Sequence, residues 1–388
     1  MEGKQRAVEG LVRKMGTANA SLRELFGNTY EGKTVLVTGH TGFKGSWLVT
    51  WLQALGANVV GYALTPPTEP SLFEALDLST KITHIIGDVR DGEHLSAVMA
   101  KYEPQMVFHL AAQPLVRLSY HEPRATFETN VMGTINLLEA VRHAPSVRVV
   151  VNVTSDKCYE NKEWDYSYRE NDPLGGFDPY SASKGCAELV SSAYRNSYFN
   201  NHEGVQLATV RAGNVVGGGD WALDRIVPDC IRSLQANAAV TVRNPSAIRP
   251  WQHVLDPLAG YLLVGSLLWT QGQAYAGAWN LGPSAHSNVT VKEVVEEIIK
   301  FWGQGSWRGD SDGAPKVHEA RFLKLDCTRA NNILRWYPVY DIRETLRVTT
   351  DWYKEYYSSK GKMWDYAILD IERFVQAASR QGQAWARQ

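Results

Sequence analysis

Thr154-Ser155-Asp156-Lys157, with Tyr180-Ser181-Ala182-Ser183-Lys184 downstream, offers an acid, two lysines, a phenol and hydroxyls that could serve one redox centre. On a helix, the Tyr-x-x-x-Lys spacing sets both side chains one turn apart on the same face. A lysine cation there favours the phenolate and makes Tyr180 a base for a substrate hydroxyl. The spacing alone decides little. Tyr356 and Lys360 repeat it near the C-terminus with no cofactor signature around them, and that pair reads as a solvated helix face.

Such a centre needs a cofactor and an element to hold it. Thr38-Gly39-His40-Thr41-Gly42-Phe43-Lys44-Gly45 follows the apolar run Thr34-Val35-Leu36-Val37 and precedes an amphipathic stretch. In that stretch Phe43, Trp47, Leu48, Trp51, Leu52 and Leu55 recur at helical spacing and stop at Gly56, a residue suited to a left-handed C-terminal cap. Strand, glycine turn and helix in that order let the backbone approach a pyrophosphate at a helix N-terminus, where free amides and the helix dipole attract the anion.

With 388 residues, 44% hydrophobic and 21% charged, the chain is long enough for one large α/β domain and a smaller partner. A net charge of −1 gives no electrostatic reason to expect nucleic acid or an anionic membrane. Small molecules are therefore the expected partners. Cys158, Cys186, Cys230 and Cys327 lie far apart, without metal-ligand spacing or a disulfide pattern, which fits a reducing cytoplasm. No metal is expected. There is no transmembrane run and no apolar secretory core at the N-terminus. Residues 1–32 mix Lys4, Arg6, Arg13 and Lys14 with Glu2, Glu9 and Glu24, which argues against an acid-poor transit peptide. An amphipathic surface helix and a start at Met15 both stay open there, and no function is assigned.

Short apolar runs alternate with helical stretches from Thr34 onward. The pattern predicts strands near 34–38, 58–62, 82–87, 106–110, 147–153 and 205–210, and helices near 43–55, 91–102, 123–143 and 179–200. That alternation is a Rossmann-type, doubly wound parallel sheet. Ser155, Asp156 and Lys157 then emerge at the C-terminal end of Val147 to Val153, a nearly all-apolar strand, at the edge where open α/β sheets bind ligands. After Val210 come loops and helices near 256–269, 290–302 and 341–357, as for a smaller, interleaved substrate-binding lobe. Expected boundaries are 33–210 for the cofactor domain and 211–388 for that lobe, with residues around 250–282 returning to the first.

On these residues the chain resembles the extended short-chain dehydrogenase/reductase family from about Gly32 to Tyr357. The general marks are the glycine turn, Asp88, His109-Leu110-Ala111-Ala112-Gln113, Asn130-Val131-Met132-Gly133-Thr134 and Tyr180 with Lys184. Narrower marks are Gly39 to Trp47, Pro66-Pro67-Thr68-Glu69-Pro70-Ser71-Leu72-Phe73, Thr154 to Lys157, Gly217-Gly218-Gly219-Asp220-Trp221 and Arg249-Pro250-Trp251-Gln252-His253-Val254. These look like the nucleotide-sugar 4,6-dehydratase branch, with CDP-glucose as the implied substrate.

The resemblance implies bound NAD, oxidation at carbon 4, loss of water across carbons 5 and 6, and hydride return to carbon 6. Tyr180 and Lys184 would serve carbon 4 with Ser155, Asp156 would be the acid, and Lys157 would act at carbon 5, where related dTDP-glucose dehydratases have glutamate. Lysine is a base only once it has lost its proton, and a solvated Lys157 or a loop-capping Asp156 is the bland alternative. Cofactor contacts carried over are Gly39, Gly42, Phe43, Lys44, Gly45, Asp88, Val89, Ala111, Ala112, Tyr180 and Lys184. The end of Val59-Val60-Gly61-Tyr62-Ala63 lacks the usual ribose-binding acid, so NAD rests on the resemblance and Lys44 leaves room for NADP. Gln113 would face the sugar, Asn214 the diphosphate, and Arg225 and Arg249 the phosphates or ribose. Turn or ion-pair roles are the alternatives for Asn214 and the arginines, and His109 reads as structural. A homodimer through the helices near 123–143 and 179–200 is also implied. A nucleotide-sugar 4-epimerase, a dehydratase for another nucleotide sugar and a non-enzymatic NAD sensor are the competing readings.

Overall fold

The run Thr34–Thr38 forms β1, buried on both faces as a strand covered by helices on each side must be. The computed structural model describes residues 22–199, 204–284, 287–310, 323–359 and 363–387. β2 (Asn58–Ala63), β3 (Thr83–Ile86), β4 (Met106–His109), β5 (Val149–Val153), β6 (Gln206–Arg211) and β7 (Gly277–Asn280) complete the central sheet. All pair in parallel, in the order 7-6-5-4-1-2-3. The fold is the Rossmann-type doubly wound sheet, and the chain reverses its winding between β1 and β4. A crevice opens at that switch point.

Helix Phe43–Ala54 follows β1 directly. It is not amphipathic: Trp47, Leu48, Val49, Thr50, Trp51 and Leu52 are all buried. Two segments cover its outer side. Helix Trp364–Arg380 brings Phe374 edge-on to Trp51, with centroids 5.8 Å apart. Phe26 stacks on Trp385 at 5.2 Å, and Tyr30 donates to Leu262 O at 2.5 Å. Leu22, Leu25, Phe26 and Tyr30 thus belong to the core, while Arg23, Glu24, Gly27 and Asn28 between them are exposed. Truncating an aromatic packed this deeply costs about 3–5 kcal/mol. Residues 1–21 lie outside the described residues.

The helix expected near 123–143 runs from Pro123 to Arg142 with a wide turn at Glu128–Met132, where Gly133 N bonds Glu128 O. One extra residue in a helical turn re-aims the side chains around it. Here it turns Asn130 inward, so that its amide bonds both Gln113 N and Gln113 O, at 2.8 and 3.1 Å, and Ser183 Oγ at 2.9 Å. That side chain ties the loop after β4 to the helix that carries Tyr180. Elements not anticipated include the helices Leu72–Ala75, Val116–His121, Ile226–Gln235 and Trp364–Arg380, and strand β7.

The Tyr356 expectation is corrected. Tyr356 stacks on Trp352 with centroids 5.7 Å apart and lies 4.8 Å from Trp221, so it belongs to an aromatic cluster and not to a solvated face. Lys360 lies outside the described residues. No helix among the described residues is long and apolar enough to cross a membrane.

Candidate active site

At the C-terminal end of β5 the backbone leaves the sheet through Thr154, whose hydroxyl bonds the buried Glu188. Glu188 pairs with Arg211 at the end of β6, 2.7 Å apart and with both side chains only 3% exposed. Arg211 reaches on to Tyr159 OH at 2.6 Å. Breaking such a pair from one side strands a buried charge and costs about 3–5 kcal/mol. The exit of β5 is therefore held rigidly from behind.

Ser155 caps the short turn Asp156–Cys158 by accepting from Lys157 N at 3.2 Å, and its hydroxyl donates to Asp156 Oδ1 at 2.9 Å. The capping residue is Ser155, which leaves Asp156 directed at the cavity, buried but lining it. Lys157 is half-buried and lines the same cavity.

Asp178 starts the helix Pro179–Ser197 by accepting from Ser181 N at 2.9 Å, with Pro179 in the first turn. Tyr180 and Lys184 share its inner face and both are buried. Burial pushes the Tyr180 phenol up to about 12, Asp156 adds to the rise, and a hydrogen bond with Ser155 and the charge of Arg225 oppose it. Burial lowers Lys184 to about 8 against the pull of Glu188. Lys184 Nζ lies 3.4 Å from Val153 O. Burial thus favours the protonated phenol.

Gly39, Gly42, Phe43, Lys44, Gly45, Asp88, Val89, Ala111, Ala112, Asn214, Arg225 and Arg249 line the same cavity as the five chemical groups. Its volume is about 1600 Å³, beyond the roughly 300–1,000 Å³ of a single small-ligand site. A methyl group on Gly45 would stand 2.1 Å from Gly39 O, and one on Gly39 would stand 2.7 Å from Ala111 N. No side chain caps the helix at Gly42, so its first amides are left for a ligand anion. A dinucleotide diphosphate fits this cradle.

Two residues behave differently from expectation. Gln113 does not line the cavity: Oε1 accepts from Leu115 N at 2.5 Å and Nε2 donates to Leu115 O and Thr126 Oγ1, so its own loop and the helix that begins at Pro123 engage the amide. The Asp88 carboxylate folds back on Arg90, accepting from Nε and from the backbone amide, both at 2.9 Å. Asn214 lines the cavity and takes a left-handed backbone, φ 50°, as a turn residue does. His109 is structural, buried with Nδ1 2.7 Å from Thr38 Oγ1.

A family model described as GDP-mannose 4,6 dehydratase matches residues 36–349. The chain belongs to that family. Within it, the chain is 54% identical over 358 residues to the CDP-glucose 4,6-dehydratase of Salmonella typhimurium, covering 91% of this chain and 99% of that one. It is 28% identical to a UDP-glucose 4-epimerase of Mycolicibacterium smegmatis, over 82% and 98% of the two chains. Among solved structures, the dTDP-glucose 4,6-dehydratase of Streptomyces venezuelae, crystallised with NAD, superimposes with a TM-score of 0.71 at 26% identity, covering 84% of this chain and 98% of that one. The resemblance to extended short-chain dehydrogenases/reductases is borne out.

Sequence reasoning missed two parts of this family member's site. The Thr154–Glu188–Arg211 relay had a signal, since a glutamate one turn beyond Lys184 and an arginine ending a buried strand both need partners. Gly213, which packs on Asp156, had none beyond being one glycine among 32.

Proposed function

We propose that the protein is a nucleotide-sugar 4,6-dehydratase that converts CDP-D-glucose to CDP-4-keto-6-deoxy-D-glucose. The observation that carries this is the placement of Asp156 and Lys157 in the same cavity as Ser155, Tyr180 and Lys184. Epimerisation at carbon 4 needs only the last three, whereas elimination needs an acid and a base besides. Identity of 54% to a CDP-glucose 4,6-dehydratase supports the same substrate.

Gly39, Gly42, Phe43 and Gly45, with the backbone amide of Lys44, would hold the diphosphate end of NAD, Asp88 and Val89 would flank its adenine, and Ala111, Ala112, Tyr180 and Lys184 would meet the ribose and nicotinamide. When bound, NAD supplies the hydride acceptor and a positive charge beside Tyr180. Tyr180 then takes the proton of the carbon 4 hydroxyl while Ser155 donates a hydrogen bond to the same oxygen. Lys157, in its neutral form, removes the proton at carbon 5, made acidic by the neighbouring ketone. Asp156 protonates the departing hydroxyl at carbon 6. Arg225 and Arg249 bind phosphate or ribose.

Residues 33–210 form the cofactor half of this machine and 211–388 mainly the substrate half, with 250–282 returning to the sheet. The working form is a homodimer. Incubation with CDP-, dTDP-, UDP- and GDP-glucose, read by mass spectrometry, tests the reading: one water should be lost, fastest from CDP-glucose. An unchanged mass with a 4-epimer formed would overturn it.

A further inference from the structure

Lys44 is the second residue of helix Phe43–Ala54, beside the glycine cradle, and its side chain lines the cavity. Trp47, one turn along, donates its indole N–H to Gly218 O at 2.9 Å and so straps the loop Gly217 to Trp221 onto this helix. The strap carries Asp220 with it, and Asp220 holds Arg225 in an ion pair of 2.7 Å. Asp220 is itself pinned from the far side by Tyr353, whose hydroxyl bonds its backbone carbonyl. Two cations from opposite halves of the chain therefore share one end of the cavity.

Only one of them is answered. Arg225 has Asp220, whereas Lys44 has no hydrogen bond or ion pair with any of the described residues. Burial, then the repulsion of Arg225, lowers Lys44 to about 8, with Asp156 and Asp220 pulling the other way and Lys184 adding to the fall. The charges that act on Lys44 are thus those of the chemical centre and of the Gly217–Arg225 loop. None stands at the end of β2, where a phosphate on the adenosine ribose would be read. A half-buried cation without a partner is costly unless an anion completes the site. A flexible ammonium beside a planar guanidinium can grip the two phosphates of one diphosphate, the first as a point charge and the second as a fork.

We propose that Lys44 and Arg225 together hold the diphosphate of the substrate, so that Lys44 is a substrate-positioning residue although it stands in the cofactor's glycine loop. This rests on the nucleotide-sugar reading above and assigns the anion-binding end of that site. It also links the two ligands, because the amides of the same helical turn meet the cofactor's diphosphate.

Titration of CDP into the NAD-loaded protein, with bound NAD measured after release, tests this. Lys44→Met is expected to weaken CDP binding by about 10- to 100-fold near neutral pH, the scale of one lost charge-assisted hydrogen bond, with NAD content unchanged. Lys44→Arg should recover most of the affinity. Wild-type affinity should fall as pH rises through about 8. Lys184 titrates in the same range, so the part of that fall that vanishes in Lys44→Met belongs to Lys44. Unchanged CDP affinity in Lys44→Met, or loss of NAD with CDP affinity intact once NAD is restored, would overturn the proposal. Running UDP, dTDP and GDP alongside separates the two claims. If another base binds best, the substrate reading fails, while Lys44→Met still reports on the preferred diphosphate.

Discussion

Gly213 lies directly against the carboxylate of Asp156: a methyl group on its Cα would stand 2.0 Å from Oδ2 and 2.1 Å from Cγ. Asp156 is therefore clamped between the Ser155 hydroxyl and the backbone after β6. Gly213→Ala should leave the fold and NAD binding intact and lower kcat by about 100-fold or more, since a misplaced acid loses most of its catalytic advantage. Steady-state kinetics with circular dichroism checks this. A rate within about threefold of wild type would mean that Asp156 is not the acid.

Lys157→Met should keep NAD binding and oxidation at carbon 4 but slow elimination by about 100-fold or more, the usual scale for losing a general base. Rapid-quench sampling should then find the unsaturated and 6-deoxy species depleted relative to wild type. Dehydration at nearly the wild-type rate would make Lys157 a solvated surface residue.

Asp256 offers a test of stability against pH. Burial raises its carboxyl from 3.8 to about 7, against hydrogen bonds from the Val339 and Tyr340 amides, and its Oδ2 has no partner. The folded chain holds a proton there that the unfolded chain releases near 3.8. Its contribution is thus fully present below that value and lost as pH rises through about 7. Asp256→Asn keeps the acceptor and fills the orphan position with a donor. It should stabilise the protein by on the order of 1–4 kcal/mol at about pH 8 and hardly at about pH 4. Urea unfolding at both pH values gives the difference; a gain that does not grow with pH would contradict it. Asp370, also raised to about 7, contributes equally to both proteins and cancels.

The dimer has its own test. Phe127, Met132 and Leu189 are 37%, 48% and 59% exposed on the two helices expected to pair. Sedimentation at micromolar concentration should give a dimer for wild type and a monomer for Leu189→Glu, whose charge is repeated across a two-fold axis. A wild-type monomer would remove the proposal.

The first six strands of the sheet and the cluster at its C-terminal edge were legible, because the buried parallel strands are largely apolar with polar residues at their ends, and the half-exposed edge strand β3 keeps the alternation of strand and helix. Strand β7 was not, since Gly277-Ala278-Trp279-Asn280 has neither a β-branched run nor alternation. Gln113 was misread because amide side chains close loops as readily as they bind sugars, and nothing local distinguishes the two. Helix Phe43–Ala54 looked amphipathic for want of its lid, which comes from Leu22 to Tyr30 and from beyond Trp364. Long-range packing of that kind leaves no periodic trace.

The central claim is that hydride leaves and returns within one sugar. CDP-glucose carrying deuterium at carbon 4 should yield 4-keto-6-deoxy product with that deuterium at carbon 6 and no build-up of NADH. In heavy water, unlabelled substrate should gain one solvent deuterium at carbon 5. Label appearing in exogenous NADH, or product retaining deuterium at carbon 4, would contradict the account.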